Sequence, residues 1–458
     1  MDTRLEEEPA GVSAGTKQVG EVEARRERWA WAEPSVWTDR MLAALENGVQ
    51  GGRWFSLIDK VYREENLRSA FDKVKRNRGA GGVDWVTVEK FETDLDRELT
   101  KLSGELKAGT YTPQAARRAY IGKAGSREKR PLGIPTVRDR ISEGALRQVL
   151  EPIFEREFAD NSHGFRPKRS AKDALREVDN GLKDGKGYVV EADIQRYFDT
   201  IPHERLLARI AERIADGRVM ELLGQMLKRG VLEDREWKST ETGTPQGGVI
   251  SPLLANVYLN PLDHEMQKAG YTLIRYADDL VIAFERQDDA ERVMAVLGRR
   301  MGRYGLTLHP DKTRLLPFGR PAATAPGRKG PATFDFLGFT FFWGKSRWGK
   351  WWVQCKTRCA RLRRTMVSIA EWCRSHRHYS VKVQHAALTR RLRGHFNYFG
   401  VSGNGRSLRR LVYAVKRSWF KWLQRRSQRR HLTWEKFSVM YARYPLPSPR
   451  ITVRIWAT

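Results

Sequence analysis

Hydrophobic and polar residues around position 278 form a pattern that predicts two strands joined by a tight turn. Residues Leu273–Phe284 read Leu-Ile-Arg-Tyr-Ala-Asp-Asp-Leu-Val-Ile-Ala-Phe, so two apolar runs flank a small polar centre. Runs of Ile, Val, Leu and Tyr favour strands, and Asp is common in turns. A second apolar run, Tyr188–Ile194, predicts another strand that ends near Asp193. We therefore expect a sheet in which the turn with Asp278 and Asp279 meets the end of the strand with Asp193.

The rest of the chain mixes helical and strand periodicity, which predicts an α+β fold. A hairpin is expected at Arg117–Pro135, where glycines mark the tip. Helical spacing of apolar residues is found at Asn66–Asn77, 289–304, Lys356–Ile369, Val383–Leu392 and Leu408–Arg426. Another helix is expected after Pro202, with Gly217 as its stop. The residues up to Gly20 are rich in Gly, Ala and Glu, and we expect them to be disordered.

Three carboxylates, Asp193, Asp278 and Asp279, would come together in such a sheet. Adjacent like charges raise the energy of a fold unless a cation compensates them. Clustered carboxylate oxygens are suitable ligands for a hard divalent cation such as Mg²⁺. Two such ions can hold the attacking and leaving oxygens of a phosphoryl transfer. The alternative is an exposed turn with two solvated aspartates, and spacing alone leaves it open.

The charge of the chain is strongly positive and unevenly distributed. The formal net charge of the 458 residues is +29, which predicts a polyanionic partner. Residues 351–458 contain 25 Lys and Arg but only two acidic residues, a net charge of +23, against +6 for residues 1–350. The same C-terminal segment holds seven of the fifteen tryptophans. Cationic and aromatic side chains in alternation are suited to binding RNA.

Cysteines and apolar runs exclude several classes of protein. Three cysteines are too few for a disulfide framework. Cys355, Cys359 and Cys373 could form a zinc site with nearby histidines, but the spacing of the first pair is not the usual one. The N-terminus begins with acidic residues rather than an apolar core, and no run is long enough to cross a membrane. We expect a cytoplasmic protein that does not associate with membranes.

Several motifs resemble those of bacterial group II intron-encoded reverse transcriptases/maturases of the type that lacks an endonuclease. Tyr276-Ala-Asp-Asp279 resembles the Tyr-x-Asp-Asp box, and Asp193 is followed five residues later by Phe198. The other matching blocks are Ser162–Pro167, Gly243–Asn256 and Leu392–Gly400. In order, the motifs cover the chain from about residue 60 nearly to its end.

The resemblance implies a right-hand polymerase fold. Fingers and a palm with an antiparallel sheet would occupy residues 51–343, and an α-helical thumb/maturase domain would occupy residues 344–458. Residues 1–50 would be an N-terminal extension that is partly disordered.

The resemblance also assigns roles to individual residues. Asp193, Asp278 and Asp279 would be catalytic, and together with Ile194 they would form the site for two Mg²⁺ ions. The residues expected at the nucleotide are Lys123, Arg130, Phe198, Gln246 and Lys312. The residues expected at the template or primer are Arg166, Gly247 and Gly338, and those expected at intron RNA are Arg425, Arg426, Arg429 and Arg430. Phe198 would exclude a 2′-hydroxyl, and Lys312 would protonate the departing pyrophosphate or be a surface lysine.

The implied function is RNA-directed DNA synthesis together with splicing and retrohoming of a group II intron. The implied partners are intron RNA, an RNA template with a DNA primer, deoxynucleoside triphosphates and a DNA target. Two alternatives stay open at this point. One is a reverse transcriptase that serves defence or repair, and the other is an RNA-binding splicing factor without polymerase activity.

Overall fold

The computed structural model describes residues 14–122, 129–244, 247–321, 332–346, 348–427 and 432–455. The chain forms two compact units. The first unit contains residues 1–121, 130–158 and 196–260, and the second contains residues 122–129, 159–195 and 261–458. The expected division into residues 1–50, 51–343 and 344–458 stays a prediction.

Helices dominate the first unit and the C-terminal part of the second. The helices are α1 (Ala14–Arg28), α2 (Asp39–Asn47), α3 (Ile58–Val61), α4 (Glu64–Asn77), α5 (Val88–Thr93), α6 (Leu95–Ala108), α7 (Val137–Glu155), α8 (Ala171–Lys183), α9 (Tyr197–Thr200), α10 (His203–Ala211), α11 (Gly217–Lys228), α12 (Ser251–Lys268), α13 (Gln287–Arg303), α14 (Cys359–Ser375), α15 (Val381–Phe399), α16 (Gly405–Gln424) and α17 (Trp434–Arg443). Thr38, Thr87 and Thr136 each cap a helix, because their hydroxyls accept a hydrogen bond from a first-turn N–H.

Strands form three sheets. The strands are β1 (Ala116–Gly122), β2 (Lys129–Ile134), β3 (Tyr188–Asp193), β4 (Val231–Glu233), β5 (Glu236–Lys238), β6 (Thr272–Tyr276), β7 (Asp279–Phe284), β8 (Arg314–Pro317), β9 (Phe334–Phe336), β10 (Phe339–Lys345) and β11 (Trp351–Thr357). The first unit contains the sheet β2-β1-β4-β5, and the second contains β6-β7-β3-β8 and β11-β10-β9. Both sheets of the second unit are antiparallel, which confirms the expected palm-type sheet.

The second unit has one continuous core beneath its two sheets and its C-terminal helices. Phe334 and Phe341 stack with ring centroids 4.8 Å apart, and Phe318 meets Phe334 edge to face. The core continues into the helices through Trp419, whose indole N–H donates to the Gln384 side chain at 3.0 Å. This apolar layer holds β3, β6 and β7 in place, and these strands carry the three aspartates.

Three local expectations were wrong. Helix α1 begins at Ala14, so the disorder expected up to Gly20 does not extend over residues 14–20. Gly217 opens α11 instead of ending a helix, because the Asp216 side chain accepts from the N–H groups of Arg218 and Val219.

The helix expected from Lys356 begins only at Cys359, because the preceding residues form β11. In β11, Val353, Cys355 and Thr357 are buried while the intervening residues are not, which is the two-residue period of a strand. The C-terminal region is otherwise helical, as expected.

Candidate active site

The two adjacent aspartates lie where β6 turns into β7. Tyr276 pairs with Asp279 across the hairpin, so Ala277 and Asp278 form a two-residue loop. Ala277 has a φ of 59°, a left-handed conformation that is uncommon for a residue with a side chain. Strand β3 pairs with the other side of β7, and in that register Asp193 lies directly opposite Asp279. The structure therefore brings the three predicted carboxylates to one end of the antiparallel sheet.

Cations neutralise a row of carboxylates along this sheet. Lys312 Nζ lies 2.7 Å from Asp193 Oδ2. Arg314 forms the equivalent pair with Glu191, two residues earlier on β3, at 2.9 Å. Lys312 lies in a short 3-10 segment that is fixed to β3, because His309 N–H donates to the Asp193 carbonyl at 2.8 Å. The predicted nucleotide-site lysine is thus in contact with a predicted metal ligand.

The carboxyl group of Asp279 has a pKa well above its ordinary value. The pKa of the Asp279 carboxyl is raised to about 7, mainly by burial and then by the negative charges of Asp278 and Asp193, while Lys312 opposes the increase. Deprotonation of Asp279 at neutral pH is costly because three carboxylates share a region of low dielectric. A divalent cation would relieve this repulsion.

The donor set fits Mg²⁺, although the side chains are not preassembled around an ion. All three side chains offer carboxylate oxygens, the ligands that Mg²⁺ prefers. The described residues contain no group of three His, Cys, Asp or Glu side chains arranged to hold one metal ion. Ile194 could contribute only its backbone carbonyl, because its side chain is apolar and buried and its N–H donates to the Asp278 carbonyl.

The block Ser162–Pro167 lies beneath the aspartate turn. His163 N–H donates to the Arg275 carbonyl at 2.9 Å, which joins this block to β6. A Cβ atom on Gly164 would come within 2.5 Å of the Ala277 nitrogen, so only glycine fits under the turn.

Arg166, expected at the template, is instead buried. Its guanidinium donates to the carbonyls of Ala159 at 2.6 Å and Ser162 at 2.8 Å. A contact of Arg166 with the template stays a prediction; in this structure its side chain stabilises the loop before α8.

Two further residues expected at the nucleotide, Phe198 and Arg130, lie in the first unit. Phe198 is half-buried at the start of the helical turn α9, and its carbonyl accepts from Thr244 N–H at 2.7 Å. Thr244 directly precedes Pro245 and Gln246 in the sequence. Arg130 is exposed on β2. Lys123 and Gln246 themselves lie outside the described residues.

Gly247 and Gly338, expected at the template or primer, both occupy positions with positive φ. Gly247 has a φ of 113°, and a Cβ there would approach the Gly133 carbonyl oxygen to 2.3 Å. Gly338, at 79°, forms the two-residue turn between β9 and β10 together with Leu337. The Leu337 carbonyl accepts from the Tyr398 hydroxyl at 3.1 Å. Protein geometry alone requires glycine at Gly247, so its contact with nucleic acid stays a prediction.

The C-terminal basic region contains cations arranged around Trp422. The charged groups of Arg374, Lys421 and Arg425 lie 5.8, 5.5 and 5.4 Å from its ring centroid. Arg426 donates to the His378 carbonyl at 3.1 Å, and Arg429 and Arg430 lie outside the described residues. Trp419 is fully buried and belongs to the core.

The cysteines are poorly suited to zinc. Cys355 and Cys373 are buried, and burial raises the pKa of each thiol to about 12, so both stay protonated at neutral pH. Cys359, in contrast, is exposed. Among the described residues, no helix is both long and apolar enough to cross a bilayer.

Reasoning from the sequence alone missed Arg275 and Asp263, a fully buried ion pair behind the aspartate turn. The available signal was the position of Arg275, a charged residue inside the apolar run that forms β6. Asp263 gave a weaker signal, because an acidic residue near the end of α12 is also common on a helix surface.

The chain is similar to known reverse transcriptases. Residues 121–341 match the family model described as reverse transcriptase (RNA-dependent DNA polymerase). The group II intron-encoded protein LtrA of Lactococcus lactis subsp. cremoris is 42% identical over 196 residues, which cover 42% of this chain and 32% of that protein. Protein YkfC of Escherichia coli (strain K12) is 37% identical over 262 residues, which cover 55% of this chain and 64% of that protein. The matched part thus spans about a third of the first relative and somewhat less than two thirds of the second.

Fold, site and similarity agree on the class of protein. Residues 121–341, which match the reverse transcriptase family, contain the antiparallel sheet that carries the three aspartates. The chain is similar to group II intron-encoded proteins over part of its length, in agreement with the family that its motifs resemble.

The raised pKa of Asp279 predicts that divalent-cation affinity increases with pH. A protonated carboxyl cannot bind the cation, and a pKa of about 7 leaves Asp279 mostly protonated at pH 6 and mostly ionised at pH 8. Mn²⁺ titration followed by electron paramagnetic resonance should show affinity about tenfold higher at pH 8 than at pH 6. Asp279→Asn should bind more weakly and lose most of this dependence. Equal wild-type affinity at the two pH values would contradict the assignment.

Proposed function

We propose that the chain is an RNA-directed DNA polymerase that also assists splicing and retrohoming of a group II intron. The observation that carries the proposal is the register of β3 and β7, which sets Asp193 opposite Asp279 beside the Asp278 turn. This arrangement lies within the segment that matches the reverse transcriptase family. The substrates would be deoxynucleoside triphosphates and a DNA primer annealed to an RNA template.

The reaction is a nucleotidyl transfer that this donor set suits. The primer 3′-oxygen forms a bond with the α-phosphorus, and the bond from that phosphorus to the bridging oxygen breaks to release pyrophosphate. Two Mg²⁺ ions, when bound, would favour the ionised 3′-oxygen and neutralise charge on the leaving group. Asp193, Asp278 and Asp279 would hold the ions.

Lys312 is a candidate for proton transfer to the departing pyrophosphate. Its ammonium group is half-exposed and lies at the same carboxylate cluster, through its ion pair with Asp193. A lysine in this position can deliver a proton where negative charge develops. Lys312 would have to leave Asp193 when a metal ion takes its place.

Phe198 and Gln246 would select the nucleotide. The hydrogen bond from Thr244 N–H to the Phe198 carbonyl holds Thr244, two residues before Gln246 in the sequence, beside the aromatic residue. A bulky ring under the sugar would leave no room for a 2′-hydroxyl, which favours deoxynucleotides. Lys123 and Arg130 would contact the triphosphate as flexible cations.

Loss of the carboxylates should abolish DNA synthesis. Asp278→Ala and Asp193→Ala should each reduce primer extension on an RNA template by at least about a thousandfold, because the metal clamp is lost. Asp288→Ala, which removes an exposed carboxylate on α13, is the matched control and should keep full activity. Thermal melting should show that all three variants fold. Near-normal extension by either active-site variant would refute the proposed site.

Replacement of Phe198 should relax sugar selection. In Phe198→Ala, use of ribonucleotides relative to deoxynucleotides should rise by about tenfold or more, because the ring no longer blocks the 2′-hydroxyl. Phe198→Tyr keeps the ring and should retain the wild-type ratio. Competition between labelled ribo- and deoxynucleotides in single-nucleotide extension measures the effect. An unchanged ratio in Phe198→Ala would mean that Phe198 is an ordinary packing residue.

Intron RNA would bind the C-terminal basic segment. Residues 351–458 carry a net charge of +23, so neutralisation of RNA phosphates is the expected source of affinity. The arrangement of three cations around Trp422 favours phosphate contacts by these cations over stacking of a base on that indole. The C-terminal arginine cluster, defined as Arg425, Arg426, Arg429 and Arg430, comes after α16 in the sequence.

Replacing the C-terminal arginine cluster with alanine should weaken intron RNA binding. The slope of affinity against salt concentration should become shallower by up to about four counterions, one for each lost phosphate contact. A matched variant replaces four exposed arginines of α13 with alanine, namely Arg292, Arg299, Arg300 and Arg303. This control has the same net charge and should keep the wild-type slope.

Splicing and DNA synthesis should respond differently to that change. Protein-assisted splicing of the cognate intron should fall, while primer extension on a short template should stay close to wild type. An equal loss of both activities would argue against a separate maturase surface. Extension without any stimulation of splicing by the wild type would favour the alternative of a reverse transcriptase in defence or repair, and stimulated splicing without extension would favour a splicing factor.

A further inference from the structure

A salt bridge without solvent contact lies behind the aspartate turn. Arg275 on β6 and Asp263 on α12 are both fully buried. The contact is bidentate, because Arg275 Nε lies 2.8 Å from Asp263 Oδ1 and Nη2 lies 2.6 Å from Oδ2. Desolvation of two charges offsets much of their attraction, so a buried pair adds little stability compared with apolar residues of the same size. Stability alone therefore does not account for this pair.

The remaining arm of the guanidinium reaches the turn itself. Arg275 Nη1 donates to the Ala277 carbonyl at 3.1 Å. This carbonyl belongs to the residue with positive φ and directly precedes Asp278. A left-handed alanine is held only when its surroundings determine it, and the hydrogen bond from a fixed guanidinium is such a determinant.

The backbone of the neighbouring block completes the support. Arg275 N–H donates to the Asn161 carbonyl, and the Arg275 carbonyl accepts from His163 N–H, both at 2.9 Å. Gly164 then lies directly against the Ala277 nitrogen. The turn is thus fixed on one side by a side chain and on the other by backbone.

We propose that Arg275, oriented by Asp263, is a positioning residue that fixes the Ala277 turn and thereby sets where the Asp278 and Asp279 carboxylates stand. The role in catalysis rests on the proposed function, because it matters only if these carboxylates bind the metal ions. Arg275 does not touch substrate in this account. It acts through the conformation of one peptide unit.

Arg275→Lys tests the proposal with the smallest change. A lysine keeps the charge beside Asp263 but has no second arm for the Ala277 carbonyl. A second variant, Arg275→Met with Asp263→Leu, removes both charges and avoids an unpaired buried ion. The control is Leu411→Ala, which opens a cavity in the fully buried core of α16 and lowers thermal stability without touching the turn.

Three readouts separate positioning from stability. In both Arg275 variants, hydrogen exchange of a peptide spanning residues 273–284 should become about tenfold faster or more, because the turn is no longer fixed. Mn²⁺ affinity should fall by about 10- to 100-fold, the usual effect of losing a residue that orients metal ligands. Primer extension should lose kcat, while KM for deoxynucleotides changes little, because the nucleotide-binding residues are untouched.

The control decides between the two explanations. Leu411→Ala should lower the melting temperature at least as much as Arg275→Lys and leave turn exchange, Mn²⁺ affinity and kcat unchanged. Wild-type exchange and Mn²⁺ affinity in Arg275→Lys would overturn the proposal and make the pair purely structural. If the wild type neither binds Mn²⁺ nor extends a primer, the proposed function fails. Hydrogen exchange of residues 273–284 in Arg275→Lys, compared with the wild type, then still tests whether Arg275 fixes the turn.

Discussion

The antiparallel pairing of β3 with β7 sets two carboxylates directly opposite each other, and much of the surrounding structure compensates for this repulsion. Asp193 faces Asp279 in the register, and Asp278 directly precedes Asp279 in the chain. Lys312 neutralises Asp193, and burial with the neighbouring charges raises the pKa of Asp279 to about 7. A fold that concentrates negative charge in this way is suited to binding cations, and the proposed polymerase chemistry depends on that property.

The turn that contains Ala277 and Asp278 is held in place by groups that contact its backbone. Ala277 adopts a positive φ, Gly164 leaves space beneath it, and a buried guanidinium bonds to its carbonyl. The block Ser162–Pro167, which contains Arg166, a residue expected at the template, thus lies against the sheet. In this block, Gly164 and Arg166 contact backbone groups of the protein itself.

Sequence patterns were sufficient for the sheet and the aspartates, because two-residue alternation and adjacent carboxylates are local features. They were not sufficient for Arg166 or Arg275, whose partners are backbone carbonyls or residues brought close only by folding. The helix expected from Lys356 was wrong at its start, because the alternation of β11 covers only three buried positions, Val353, Cys355 and Thr357, directly before a helix. Gly217 shows that a glycine can open a helix when an aspartate caps it.

Most of the positive charge and the three aspartates lie in different parts of the sequence. The aspartates lie within residues 1–350, whose net charge is only +6, whereas residues 351–458 carry +23. In the second unit, the sheet of the aspartates and the C-terminal helices share one hydrophobic core. The sheet with the aspartates and the strongly basic C-terminal segment are therefore supported by the same hydrophobic core.

The most direct test of the account is to locate a divalent cation in a ternary complex. Crystals of the protein with an RNA template, a DNA primer and a non-hydrolysable deoxynucleotide, grown with Mn²⁺, would give anomalous scattering from the metal. The account predicts anomalous peaks within about 2.5 Å of carboxylate oxygens of Asp193 and Asp278, with Lys312 displaced from Asp193. A fully bound nucleotide with no metal at these carboxylates, or with metal held elsewhere, would contradict it.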